Sequence, residues 1–293
     1  MARATSDEPL GAERITARVT RVTLPDGRRA ALKRAAPGAP VDREAAVLRF
    51  LHARGCAVPE VISASSDELV TEWCGEHTLD DALQAGLAVS GSGLSEAVRG
   101  VGRAMNPVAP APASAHDALR AQLAPWLAAL PAALRWLSGA GDERLLAAVI
   151  QRALECPPEA GSLDYTARNV LVGATGEQVW LIDFAATGFD WTERRLAQYA
   201  LSAGSGRPAG VFRSALDATV CGALEDPAGV DAHEVILLLT ASEHLRQVET
   251  GDAHEERSRA WANVAERRAS LLTLLRRPLA ESGPAAELRA ALR

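Results

Sequence analysis

The sequence predicts an α+β chain in two lobes: a small, mostly β amino-terminal lobe over residues 1–75 and a larger, mostly helical lobe over 76–293. Three observations predict it. Short apolar runs separated by turn signals crowd the first lobe. Stretches of apolar residues at helical spacing fill most of the second. Within the helical part, one hairpin pattern stands out at Val170–Val172 and Val179–Ile182, flanked by Asp and Asn side chains. At 293 residues the chain can bury a sizeable core.

Arg18–Leu24, Pro25-Asp26-Gly27 and Arg28–Arg34 read as strand, turn and strand. Alternation puts Ala31 and Lys33 on one face of the second strand. Pro40-Val41-Asp42 reads as a helix start with Asp42 as its cap. That helix runs to about Arg54, before Gly55. Glu44, Val47, Leu48 and Leu51 fall at i, i+3, i+4 and i+7, so Glu44 shares the apolar face. A carboxylate there is costly unless paired, and Lys33 is the natural partner. The alternative is that Glu44 only supports the first turn through the macrodipole. Val58–Ile62 and Glu68–Trp73 read as further strands, and Cys74-Gly75-Glu76-His77 as the connection into the second lobe.

In the second lobe the helical stretches before the hairpin are Thr78–Ala85, Ser95–Met105, Ser114–Leu137 and Glu143–Leu154. Pro125 and Pro131 are expected to kink or divide the third. Gly91-Ser92-Gly93 and Pro107–Pro112 read as breaks. After the hairpin come Trp191–Ala203, Val211–Leu224, Ala232–Thr250 and Ala253–Leu275, then a frayed tail over Ala280–Arg293. In Ala253–Leu275, Trp261, Val264, Leu271, Leu272 and Leu275 read as a core stripe.

The hairpin carries the chemistry. Ser162-Leu163-Asp164-Tyr165-Thr166-Ala167-Arg168-Asn169 reads as a loop, Val170–Val172 as a strand, Gly173–Gln178 as a turn, and Val179–Ile182 as the return strand leading to Asp183-Phe184. Antiparallel pairing brings Asn169 and Asp183 to one end, with Asp164 a few residues away. Three oxygen-bearing side chains then converge where Mg²⁺ would find the hard donors it prefers. The alternative is that these are turn-forming residues beside an ordinary hairpin.

This arrangement resembles the catalytic loop and metal-binding Asp of the protein-kinase-like fold. It is most similar to the aminoglycoside phosphotransferase branch of small-molecule kinases, whose loop reads H-G-D-x-x-x-x-N. The resemblance implies that Asp164 accepts or orients the proton of an attacking hydroxyl. Asn169 and Asp183 would hold Mg²⁺ on the phosphates of ATP or GTP. Ala30-Ala31-Leu32-Lys33 is similar to the V-A-I-K strand, with adenine over Ala31, Lys33 on the phosphates, and Glu44 as the lysine's partner. The connection at Glu72, Trp73 and Cys74 would offer backbone groups to the purine. These motifs keep the family's order from about residue 11 to 200. Ser162 stands where the family has His, and Ala185 where D-F-G has Gly. No G-x-G-x-x-G loop exists, and Gly11–Thr16 is the only space for a phosphate-covering turn.

The formal charge of −6 disfavours a nucleic-acid binder, which would usually carry a basic patch. Cys56, Cys74, Cys156 and Cys221 are far apart and suggest neither a zinc site nor a disulfide framework. His233-Glu234 and His254-Glu255 read as solvated helix faces. With no signal peptide and no apolar run of spanning length, a cytoplasmic protein with no membrane partner is expected.

For the acceptor, the resemblance points to the segment after Asp183. Asp190 and Glu193 would bind ammonium groups, and Trp191 would stack on a sugar or cap a cation. The alternative is that Trp191 packs the lobe and the charges are solvated. Three functions follow from the whole: a phosphotransferase acting on a hydroxyl of a small molecule such as an aminoglycoside, another antibiotic or an amino alcohol; a kinase of Ser/Thr in a biosynthetic peptide; or a kinase-like binding protein without activity.

Overall fold

A computed structural model describes residues 5–9, 17–35, 41–139, 141–202, 225–251, 263–277 and 279–293. The amino-terminal part is an antiparallel sheet of β1 (Thr5–Pro9), β2 (Ala17–Thr23), β3 (Arg29–Ala35), β4 (Val61–Ala64) and β5 (Glu68–Glu72), in the order β1-β2-β3-β5-β4. The β2–β3 turn closes with the Gly27 N–H donating to the Leu24 carbonyl at 2.9 Å. Ala30 and Leu32 of β3 are buried with Val22 on one side of the sheet, while Ala31 and Lys33 are half-buried on the other. The expected alternation is therefore present. Helix α1 (Val41–His52) follows β3 and buries Val41, Glu44, Ala45, Leu48 and Leu51.

After β5 the chain passes through Trp73–Glu76 into β6 (His77–Thr78), which pairs with the hairpin of the second lobe. Gly75 makes this passage possible. Its φ is +64°, and a Cβ there would sit 2.8 Å from the Val172 carbonyl oxygen. Only glycine fits both the left-handed backbone and that approach.

The second lobe contains α2 (Leu79–Gln84), α3 (Gly91–Met105), α4 (Ala113–Ser138), α5 (Glu143–Ala153), β7 (Glu159–Ser162), β8 (Val170–Val172), β9 (Val179–Leu181) and β10 (Thr187–Asp190). It continues with α6 (Thr192–Ser202), α7 (Pro227–Thr250), α8 (Val264–Leu275) and α9 (Pro284–Ala291). Strands β6, β8 and β9 form one small sheet, and β7 with β10 another. Among the described residues, no helix is long and apolar enough to cross a membrane.

Several expectations are corrected. The Gly91-Ser92-Gly93 break is instead the first turn of α3, because the Ser90 hydroxyl accepts the Gly93 N–H at 3.0 Å and caps it. Helix α4 runs unbroken through Pro125 and Pro131. Each proline costs about 3 kcal/mol in a helix interior, yet Leu130, Ala133, Leu134 and Leu137 pack continuously with α5 and α7 and hold the helix together. His233 and Glu234 are 2% and 1% exposed, core groups rather than a solvated face. The tail is not frayed. Arg289 of α9 is fully buried, donating to Asp231 at 2.6 Å and 2.9 Å and to the Leu274 and Leu275 carbonyls at 2.8 Å. The strand expected at Val58–Ile62 begins only at Val61. The turn expected at 11–16, the helix at 211–224, the first part of the 253–275 helix, His254-Glu255, Trp261 and Cys221 lie outside the described residues.

Candidate active site

Strand β3 and helix α1 deliver the first two groups. Lys33 Nζ lies 2.8 Å and 3.0 Å from the two Glu44 oxygens, and Glu44 is 3% exposed. The buried carboxylate therefore has its cation, as burial requires. The same Nζ reaches across to Asp183 Oδ1 at 3.0 Å. Burial works against the Lys33 charge, but the Glu44 and Asp183 carboxylates outweigh it and hold its pKa above the ordinary lysine value.

The hairpin delivers the others. Pairing of Val170 with Leu181 and Val172 with Val179 sets the register, and the Ile182 N–H donates to the Asn169 carbonyl at 2.9 Å. Asn169 and Asp183 are thus held side by side. Asp183 has φ +62°, a left-handed conformation that Asp tolerates better than most residues. Asn169 is buried, and its Nδ2 donates to the Asp164 carbonyl at 3.2 Å, leaving Oδ1 as the remaining acceptor of that amide. Asn169 Oδ1 and the half-exposed Asp183 carboxylate are hard oxygen donors of the kind Mg²⁺ takes, so this donor set fits that ion.

Ser162 joins the two aspartates. Its Oγ accepts the Asp164 N–H at 3.2 Å and donates to the Asp183 carbonyl at 3.5 Å. One hydroxyl thereby ties the loop before the hairpin to the residue after it. Beneath this, the Tyr165 hydroxyl donates to Asp190 Oδ2 at 2.6 Å, and Arg194 donates to the same oxygen at 2.8 Å.

At the connection between lobes, Ala31 pairs with Thr71 in the sheet, Glu72 is exposed, and Trp73 is half-buried with the Arg21 guanidinium 5.8 Å from its ring centre. The Cys74 side chain is turned inward at 4% exposure, and burial together with the Glu72 carboxylate pushes its thiol pKa up.

The three acceptor candidates are interior groups, which corrects that expectation. Trp191 is fully buried and donates its indole N–H to the Cys156 carbonyl at 2.8 Å. Asp190 is 2% exposed and already accepts from Tyr165 and Arg194. Glu193 is 7% exposed, and burial raises its pKa against the influence of Arg99, 4.0 Å away. Pairing of β10 with β7, register Asp190↔Glu159, draws this segment into the lobe. Sequence reasoning also missed Arg195, a buried arginine of α6. Its signal was there: Trp191, Arg195 and Tyr199 recur every four residues, the spacing of a buried helix face.

A lysine braced by a helical carboxylate and reaching across to an Asp that follows an Asp/Asn loop is the arrangement of the protein-kinase-like fold. The model of the phosphotransferase enzyme (APH) family matches residues 9–233, and the chain belongs to that family. That family is one of phosphotransferase enzymes. Among solved structures it is similar to a choline/ethanolamine kinase family protein from Mesorhizobium loti, with 18% identity and a TM-score of 0.53 over 98% of this chain and 92% of that one. An aminoglycoside phosphotransferase from Alicyclobacillus acidocaldarius is similar at 15% identity and a TM-score of 0.51, again over 98% and 92% of the two chains. These two likenesses carry the fold. No curated protein matches the chain.

Proposed function

We propose that this protein transfers the γ-phosphoryl group of ATP or GTP to a hydroxyl of a small molecule, such as an aminoglycoside, another antibiotic, an amino alcohol or a natural-product intermediate, in the cytoplasm. The observation that carries the reading is Lys33, held at 2.8 Å by Glu44 and at 3.0 Å by Asp183. A half-buried ammonium clamped between two lobes, next to oxygen donors, is suited to hold nucleotide phosphates.

In this reading the purine lies over Ala31 against the backbone of Glu72, Trp73 and Cys74. Lys33 orients the phosphates and Glu44 keeps Lys33 extended. Asn169 and Asp183 hold Mg²⁺, which when bound supplies charge neutralisation on the phosphate oxygens. Asp164 orients the acceptor hydroxyl and takes its proton. The hydroxyl oxygen bonds to the γ-phosphorus as the bond to the bridging oxygen breaks, and the nucleoside diphosphate leaves. Ser162 supports the reading, because it joins Asp164 to Asp183 at the position where the family has His.

The test is a phosphorylation screen with ATP and GTP in the presence of Mg²⁺. Acceptors are aminoglycosides, other hydroxylated antibiotics, choline, ethanolamine and Ser/Thr peptides, with products read by mass spectrometry. A phosphorylated small molecule is expected. Phosphate on peptides alone would move the function to a biosynthetic peptide. No nucleotide binding at millimolar concentration would leave a kinase-like binding protein.

A further inference from the structure

Arg195, on the first turns of α6, is 4% exposed. Among the described residues no carboxylate lies within ion-pair distance of it. Its guanidinium is spent on backbone instead. Nε donates to the Ser162 carbonyl at 3.2 Å, and Nη2 to the Glu159 carbonyl at 2.8 Å and the Gly188 carbonyl at 3.3 Å. The first two carbonyls are on β7 and the third is on β10. The cation also lies 5.7 Å from the Tyr165 ring centre. Gly161 packs directly over it: a Cβ there would be 2.9 Å from Arg195 Cζ and would have to displace the guanidinium.

A buried cation without a counter-ion is expensive, and a neutral residue could fill the same space more cheaply. The geometry explains the arginine. A planar fork can donate in several fixed directions at once, which a lysine ammonium on a flexible stem does poorly. Here the fork links the strand that ends at Ser162 to the strand that follows Asp183. Ser162 is also the residue whose hydroxyl binds the Asp164 N–H and the Asp183 carbonyl. Arg195 holds the Ser162 backbone, and Ser162 holds both aspartates.

We propose that Arg195 is a positioning residue that fixes the spacing of Asp164 and Asp183 through the Ser162 backbone, by the shape of its fork rather than by its charge. The inference rests on the function proposed above. Displacements of about 1 Å in a catalytic group can cost 10²-fold in rate, so turnover is the sensitive readout.

The experiment uses the full chain with Arg195→Met, Arg195→Lys and Gly161→Ala, the last crowding the guanidinium without removing it. On an acceptor found in the screen, each variant that folds is expected to lose roughly 10- to 100-fold in kcat, with little change in KM for the nucleotide. Lysine is expected to rescue little. Unchanged kcat in folded Arg195→Met would overturn the proposal, because a purely structural arginine lowers Tm without touching turnover per folded molecule. Full recovery by Arg195→Lys would also overturn it, since charge would then suffice. A crystal structure of Arg195→Met gives a reading independent of activity: β7 and β10 are expected to separate at Ser162, with loss of one of its hydroxyl bonds. Unaltered strands there would reject Arg195, whereas a wild type that phosphorylates nothing would reject only the proposed function.

Discussion

Lys33 and Asp183 lie 150 residues apart in the chain and 3.0 Å apart in space. One stands on the amino-terminal sheet and the other follows the hairpin of the helical lobe. Their contact ties the two halves of the candidate site together, and Glu44 fixes its near end.

Lys33 and Glu44 are expected to act as a unit. Ala at either position should lower kcat/KM for nucleotide. The double variant should cost less than the sum, with a coupling on the order of 0.5–3 kcal/mol. The check is a double-mutant cycle on turnover, and strictly additive losses would show that the two side chains work separately.

The two aspartates are expected to fail differently. Asp164→Asn should leave nucleotide affinity nearly unchanged and cut kcat roughly 10²- to 10⁴-fold, the range for losing a general base. Asp183→Asn should weaken Mg²⁺-nucleotide binding as well, because it removes a hard carboxylate donor. Calorimetry and steady-state kinetics separate the two. Near-normal turnover in folded Asp164→Asn would remove that residue from the reaction.

Gly75→Ala is expected to destabilise the chain by about 1–3 kcal/mol, since a side chain there meets both a left-handed backbone and the Val172 carbonyl. Urea unfolding measures it. A variant as stable as the wild type would mean that the connection relaxes without effort.

Stability should fall in mild acid through His233. Burial is the main cause that lowers its pKa from 6.5 to about 4, with Arg194 and Arg152 adding to it and Asp190 opposing. The unfolded chain thus binds a proton that the folded chain refuses, so stability present above pH 6.5 is lost as pH falls toward 4. The full loss is roughly 3 kcal/mol, at about 1.4 kcal/mol for each pH unit between the two values. His233→Phe removes this contribution. Thermal melts of both proteins at pH 7 and pH 5 should show the smaller drop in the variant, and equal drops would assign the acid sensitivity to other groups.

Lys33, Glu44 and the Asn169–Asp183 hairpin were legible in the sequence because each is placed by a local rule. Strand alternation sets the face of Lys33, helical spacing sets the face of Glu44, and a glycine turn sets the hairpin register. Their order along the chain then brings the lysine to the carboxylates. Trp191, Asp190 and Glu193 were not legible in the same way. Whether a polar or aromatic side chain near a site faces solvent or core depends on what packs over it, and here β10 pairs back onto β7.

By itself, then, the sequence determined the two-lobed α+β class, most of the elements, the Lys33–Glu44 pair and the hairpin that ends at Asn169 and Asp183, because these follow from period, turn chemistry and order. Tertiary structure alone decided the burial of His233, Glu234 and Arg289, the continuity of α4 across two prolines, and the use of Arg195 as a brace. The reason is physical. A buried charge or a proline inside a helix is unfavourable taken alone, and only partners distant in sequence, such as Asp231 for Arg289 or the Ser162 and Gly188 carbonyls for Arg195, make it stable.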